Sequence, residues 1–475
     1  MVIVEKNELF SVMREFNPWW ETGAVPDSLP WKRSAFAELR DWIIDPPSRR
    51  AVLVTGARRV GKTTLLRQLI QKLLADGVSP RNILYLTLDH PLLKLSGIGN
   101  LLQIWRELQP NIQGMEFLFI DEVQNLTGWE TWVKHQVDFQ KDRRIAITGS
   151  AIPLNIREVE SGAGRWHTIK LPTLSFFEYL KILNVSVPSI PEVSSLTAIN
   201  QFKPDERIRI TESGKSLVGY FHEYLQRGGF PETAQIEDIS LAQKLLREDI
   251  IDRVLKRDMT DVFGLRNVSE LERLFLYLCY HDGGILNISQ LSNTMERSNK
   301  TVAHYIDILE AAHLIYRLRP YGYGKQVLKG HSKVYLADPA ISGSVFLKGK
   351  GILENATKLG AAVEAAFFKH IFTRYYQEAI GFSYWRGRGD REVDIIAEVR
   401  GELVAFEVKY RNSPVTKGDL RGLGEFHSKH KGDRAYVITG NANDFGPISI
   451  SDDFSAMKIP AWLACYWLAQ SERRV

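Results

Sequence analysis

Cysteine is almost missing from this chain: 475 residues contain two, Cys279 and Cys465. They lie far apart among apolar neighbours, which excludes a disulfide framework and leaves buried free thiols as the reading. Long apolar runs are missing too, since no stretch reaches the roughly 18 uncharged residues of a membrane-spanning helix. The opening MVIVEKNELF places Glu5 and Glu8 where a secretory signal would need an apolar core. Neither sign of charge dominates, because 61 basic residues face 56 acidic ones for a net +5. A total that small neither demands nor excludes nucleic acid, for which a local patch matters more. There is no low-complexity tract and no repeat of fixed period. These absences leave the expectation of a cytoplasmic protein with no membrane partner, long enough for about two to four domains.

What is present is concentrated first at residues 50–75. Arg50 precedes the apolar run AVLVT, which reads as a buried parallel strand. Gly56, Ala57, Arg58, Arg59, Val60, Gly61, Lys62 and Thr63 then match GxxxxGK[ST], with Thr64 following, and Leu65, Leu66, Leu69 and Leu73 have helical spacing. Strand, glycine loop and helix in that order form a phosphate cradle. The glycines let successive amides face the phosphates, and the helix start adds its positive end. Lys62 is placed for the β and γ phosphates and the Thr63 hydroxyl for Mg2+, so the expected ligands are ATP and Mg2+.

Such a site needs a second strand ending in carboxylates, and MEFLFI running into Asp121 and Glu122 supplies it. Asp121 is expected to hold Mg2+ and Glu122 to act as general base on the attacking water. A further strand, RIAIT, ends at Gly149 and Ser150. Ser150 reads either as a hydrogen-bond partner of the γ-phosphate or attacking water, or as a helix cap. The strand ILYLTL ends at Asp89, which supports the acidic edge or is structural. Arg165, after Gly162, Ala163 and Gly164, suits the neutralising of charge on a transferring phosphoryl group, from a neighbouring subunit or across a domain joint. The tryptophans of REFNPWW (Phe16, Asn17, Pro18, Trp19, Trp20) either clamp an adenine or pack the N-terminal arm, with packing the favoured reading.

GARRVGKTTLLRQL, LFIDEVQ, ITGSAI, GAGRW with LPTLSFFEYL, RGGFPE at 227–232 and the opening FNPWW together resemble the prokaryotic AAA+ ATPases that carry a C-terminal domain of unknown function. The likeness spans nearly the whole chain and is sparser over 185–210. It implies an arginine-finger or sensor role for Arg165, and with it a homo-oligomer if the finger acts on a neighbour. The GR turn is less regular here than in that family.

Downstream, KLLREDIIDRVLKRDMTDVFGL is amphipathic at helical spacing and reads as a lid or connector. Residues 290–296 and 301–312 read as two helices around a turn at 297–300, a helix-turn-helix with 301–310 as its recognition helix. Two strands follow, joined by a loop with Lys325, Lys329, His331 and Lys333 beside Tyr321 and Tyr323. As a basic, aromatic wing this would meet phosphates and bases. Against that, the recognition helix is poor in Lys and Arg, and Asp307 and Glu310 would repel a DNA backbone. DNA contact and a packing or regulatory role both stay open; the resemblance includes a winged helix at this position.

The last segment holds spaced acids and a lysine. Glu364 lies in a helix, Asp394 opens the strand DIIAEV, and Glu407 and Lys409 lie two apart on the returning strand, facing one way. Glu364, Asp394 and Glu407 as Mg2+ ligands, with Lys409 orienting or deprotonating the attacking water, would make a phosphodiester-cleaving site. The pattern resembles the restriction-endonuclease-like fold, PD-(D/E)XK, with Val393 where proline is usual. Arg386, Arg388, Arg391, Arg411 and Lys417 surround it, and a non-cleaving docking module remains the alternative. The expected fold is therefore an α/β multidomain chain: an N-terminal arm and P-loop AAA+ ATPase core over 1–190, a helical lid over 191–265, a winged helix over 266–345 and a nuclease-like α/β domain over 346–475.

Overall fold

The computed structural model describes residues 5–26, 29–150, 164–265, 267–322, 330–378, 380–389, 391–411 and 413–470. Its backbone divides into two compact units, residues 1–171 with 261–264, and residues 172–260 with 265–474. The first unit is shorter than the expected 1–190, because the chain joins the second unit from Pro172 onward. Among the described residues no helix is long and apolar enough to cross a membrane.

Five strands build the first unit: β1 (Ala51–Thr55), β2 (Ile83–Thr87), β3 (Glu116–Asp121), β4 (Arg143–Gly149) and β5 (Trp166–Lys170). They form one parallel sheet in the order β2-β3-β4-β1-β5. Every residue of β1 is buried, which is why the strands read as unbroken apolar runs. The helix Lys62–Ala75 buries Leu65, Leu66, Leu69 and Leu73, the face its spacing defined. Register pairs Thr55 of β1 with Gly149 of β4, and Thr87 of β2 with Asp121 of β3. The glycine loop, the Asp121–Glu122 pair and Ser150 therefore share the C-terminal edge of the sheet.

The FNPWW segment caps the β2 edge. Asn17 Nδ2 donates to Tyr85 O at 2.9 Å and Asn17 Oδ1 accepts from Tyr85 N at 2.7 Å, as a neighbouring strand would. The Trp19 and Trp20 indoles both donate to Ile83 O. Packing, the favoured reading, is what these side chains do, and they cover hydrogen-bonding groups that an edge strand otherwise exposes.

In the second unit β6 (Ile285–Leu286), β7 (Ile315–Pro320), β8 (Ser332–Leu336), β9 (Ile380–Arg386), β10 (Glu392–Val399), β11 (Glu402–Lys409), β12 (Arg434–Thr439), β13 (Gly446–Ser449) and β14 (Ser455–Pro460) form one mixed sheet. Its order is β13-β14-β12-β11-β10-β9-β7-β8-β6. The two helices of the helix-turn-helix are Ile288–Met295 and Asn299–Ala311, the second capped by Ser298. Arg400 and Gly401, with φ of 51° and 88°, make the tight β10–β11 turn. β7 pairs with β9 through Arg319–Ser383 and Pro320–Tyr384. The segments 266–345 and 346–475 thus share a sheet within one unit.

A buried polar knot ties this unit together. Asp338 accepts from Thr173 Oγ1 at 2.6 Å, Gly229 N at 2.9 Å and Lys369 Nζ at 3.3 Å. A Cβ on Gly229 would lie 2.4 Å from Leu174 O, so the glycine of RGGFPE serves a close backbone approach.

Candidate nucleotide site and carboxylate cluster

At the edge of the first sheet, Gly56 must be glycine because a Cβ there would lie 2.1 Å from Leu171 O, and Gly61 adopts φ 97°. Ala57 and Val60 are buried within the loop, Arg58 and Arg59 half-buried, and Thr63 and Thr64 occupy the first turn of the helix. Lys62 is buried and folds back on its own loop, donating to Gly56 O at 3.0 Å and Ala57 O at 2.9 Å. To reach a phosphate its ammonium must exchange these carbonyls for stronger anionic acceptors.

Asp121 is held by hydroxyls. Thr63 Oγ1 and Tyr85 Oη donate to Oδ2 at 2.6 and 2.8 Å, and Thr148 Oγ1 donates to Oδ1. A threonine hydroxyl against a carboxylate suits Mg2+, a hard cation that takes oxygen ligands, so Thr63 and Asp121 would hold it. Glu122 follows with φ 56°, a left-handed conformation costing a non-glycine residue about 1–2 kcal/mol. Its amide donates to Thr148 Oγ1, while its carboxylate accepts from Ser150 Oγ at 2.8 Å and from Gln124 Nε2. Burial alone would raise the Glu122 pKa. The Lys62 ammonium at 4.0 Å and the bonds from Gln124 and Ser150 outweigh it and hold the carboxyl below its usual range. Glu122 is therefore ionised, as a general base must be. Ser150 orients Glu122, while residues 151–163 lie outside the described residues.

Arg165 is placed elsewhere. Its carbonyl accepts from Ala51 N at the start of β1, and its guanidinium pairs with Asp138 at 3.3 Å. The N-terminal edge of the sheet is about 15 Å along the strands from the phosphate loop, at roughly 3.3 Å per residue. Arg165 thus lies at the end of the strands opposite the glycine loop. Asp89 is exposed.

Tyr85, Gln124 and Thr148 were missed as site residues. Tyr85 and Thr87 alternate on one strand, as do Thr148 and Ala146, so the period-two pattern carried a partial signal for which polar groups face the edge.

In the second unit, Glu364, Asp394 and Glu407 do converge, lining a cavity of about 750 Å3 with Glu392, Lys333, Lys409 and the arginines 388, 391, 411 and 421. The expected metal arrangement is not what they form. Lys333 Nζ lies 2.7 Å from Glu364 Oε1, 2.8 Å from Glu392 Oε1 and 2.9 Å from Asp394 Oδ1, and its side chain is 2% exposed. The other Asp394 oxygen accepts from Val408 N at 2.9 Å, and Glu407 Oε1 pairs with Lys409 at 2.5 Å. Among the described residues no group of three or more His, Cys, Asp or Glu side chains is disposed to hold a metal ion. The donor set does not fit Mg2+, since an ammonium stands among the carboxylates that would bind it.

Charge follows the same logic. Burial would raise Asp394, but Lys333 and Lys409 outweigh it and keep the carboxyl below its ordinary value. Burial and the Asp394 charge push Glu364 up to about 7 and Glu407 up to about 8. Burial would lower Lys409, yet the charges of Glu407 and Asp394 outweigh it and raise its pKa above the ordinary lysine value. Lys333, expected in the wing, points instead into this cluster; alternation along β8 puts it on one face with Tyr335, which donates to Glu364 at 2.7 Å. His331 is exposed, and Tyr323, Lys325 and Lys329 lie outside the described residues. Asp307 and Glu310 of the recognition helix both pair with Arg317, at 2.7 and 2.5 Å, so their repulsion of a DNA backbone is partly offset.

A model of the AAA domain matches residues 48–180, and two domains of unknown function, DUF8612 and DUF4143, match residues 218–350 and 359–462. The first unit carries an AAA-like core. An uncharacterised protein of Haemophilus influenzae is 28% identical over 369 residues, covering 75% of this chain and 82% of that one. An uncharacterised protein of Mycobacterium tuberculosis is 25% identical over 408 residues, 84% of this chain and 78% of that one. Among solved structures, the Aeropyrum pernix ORC1 protein in complex with DNA aligns with TM-score 0.32 and 13% identity over 68% of this chain and 93% of that one. C. elegans PCH-2 aligns with TM-score 0.26 and 16% identity over 51% and 67%.

Proposed function

We propose that this chain binds and hydrolyses ATP with Mg2+ and uses its nucleotide state to drive a second unit directed at nucleic acid. The supporting observation is the Thr63–Asp121–Glu122–Ser150 constellation at the C-terminal edge of a parallel sheet, beside a glycine loop and Lys62. Thr63 and Asp121 would hold Mg2+, which would supply positive charge against the phosphates. Lys62 leaves its loop carbonyls for the phosphates. Glu122, kept ionised and aimed by Ser150 and Gln124, takes the proton of the attacking water. Arg165, remote from its own phosphate loop, serves a neighbouring subunit in a homo-oligomer. The helix-turn-helix and the arginine-rimmed cavity are the parts suited to DNA. Glu122→Gln tests the reading: ATP is still bound, and hydrolysis in single turnover falls by about 10²–10⁴-fold. Undiminished hydrolysis in that variant would refute the assignment.

A second reading, an ATP-dependent switch whose C-terminal segment binds without cutting, is favoured by one observation: the carboxylates a nuclease would use are already paired with lysines.

A further inference from the structure

The cavity beside β10 and β11 has an acidic floor and a basic rim. Four carboxylates, Glu364, Glu392, Asp394 and Glu407, converge there from one helix and two strands. Three of them touch a single atom, Lys333 Nζ, at 2.7–2.9 Å. That ammonium comes from β8, which reaches the same sheet through β7 and β9. It has three donors and directs them at three different side chains, the coordination a small cation would otherwise draw from them. Glu407 is the exception: its Oε1 pairs with Lys409, and its buried Oε2 has no hydrogen-bond partner among the described residues.

We infer that Lys333 is the resident cation of this cavity, standing where a divalent ion would bind and keeping such ions out. The cluster is then complete without metal. Removing the ammonium while keeping the carboxylates should convert it into a divalent-ion site formed by Glu364, Glu392 and Asp394, the three acids that Lys333 now pairs. Lysine is suited to exclusion because its charge is tethered: its local concentration does not fall when free metal is scarce, and an entering ion must displace it against three carboxylates at once. This inference rests on the non-cleaving reading above and adds its cause.

The test is a count of Mn2+ bound to the nucleotide-free full-length chain by electron paramagnetic resonance, with Mn2+ alone as probe. The wild type, Asp394→Asn, Lys333→Met and the double variant Lys333→Met/Asp394→Asn are compared. Any Mn2+ at Thr63 and Asp121 is common to all four and cancels. The expected result is equal counts for the wild type and Asp394→Asn, one further Mn2+ in Lys333→Met with at least about tenfold tighter binding than any weak site of the wild type, and its loss in the double variant. Mn2+ should also raise the melting temperature of Lys333→Met and leave that of the wild type unchanged. Should Lys333→Met fail to fold, Lys333→Gln replaces it, and the wild-type against Asp394→Asn comparison still decides whether metal is excluded. An Asp394-dependent Mn2+ in the wild type overturns the inference, as does a folded Lys333 variant that gains none. Incubating the wild type with Mn2+ and single- and double-stranded DNA separates the two failures. Metal-dependent cutting lost in Asp394→Asn sinks the non-cleaving reading as well, whereas Asp394-dependent Mn2+ without cutting sinks only the exclusion by Lys333.

Discussion

Asp121 in the first unit and Asp394 in the second are both buried carboxylates on strands, each beside an ionisable glutamate and a lysine. Asp121 is satisfied by the hydroxyls of Thr63, Tyr85 and Thr148, which carry no charge. Asp394 is satisfied by an ammonium and a backbone amide. Neutral donors hold a carboxylate in place and leave its charge for an incoming cation, while an ammonium cancels that charge beforehand. The first arrangement is the one that the proposed function assigns to a metal nucleotide. The second makes a stable polar core, because a buried charge is tolerated only when paired. Residue types alone do not separate the two; the donor that reaches the acid does.

The comparison can be broken most forcefully at its charged members. Asp121→Asn should lower Mg2+-dependent ATP hydrolysis by about 10³-fold or more, read in a steady-state phosphate-release assay, because the hydroxyls that remain cannot replace the lost charge at the metal. Lys333→Met should cost the second unit roughly 3–5 kcal/mol in urea unfolding at neutral pH, since it strands buried carboxylates. If that variant were as stable as the wild type, the ammonium would not be what neutralises the cluster. Thr148→Val, which takes a donor from Asp121 and an acceptor from the Glu122 amide, should cost about 1–3 kcal/mol and slow hydrolysis without abolishing ATP binding.

The smallest effect sharpens the comparison through pH. Glu407 has its folded pKa raised to about 8 by burial and the Asp394 charge. A carboxyl so raised keeps its proton in the folded state after the unfolded chain has lost it, so its contribution to stability declines as pH rises from about 4.5 to 8. Glu407→Gln removes that decline. Its melting temperature relative to the wild type should be higher at pH 8.5 than at pH 5, by about 3 °C or more. Glu122, with its pKa lowered, predicts no such alkaline loss at the first site.

Much of the first site was legible in the sequence, because its signals are local or set by strand order. The loop from Gly56 to Thr63 is bounded by its own strand and helix, and Asp121, Glu122 and Ser150 each end an apolar run, so parallel pairing must bring them to one edge. FNPWW was legible as packing, but not as a substitute strand for β2, since the Asn17–Tyr85 pairing spans 68 positions. The place of Arg165 was not legible, because a glycine-flanked arginine says nothing about which end of a strand it occupies. The acids of the second unit were located correctly and their partner was not. Lys333 lies in a basic stretch that reads, with its tyrosines, as a wing meeting phosphates and bases.

By itself the sequence determined the order of elements, the glycine loop between β1 and its helix and the convergence of the acids, since strand periodicity and glycine conformation act within a few residues. Only the tertiary structure decided what neutralises each acid. Lys333 meets Asp394 across 61 positions, and it does so because β7 pairs with β9 and joins two segments into one sheet. Whether a buried carboxylate awaits a cation or already has one depends on a contact within about 3 Å, and no local pattern along the chain encodes a contact between residues so far apart.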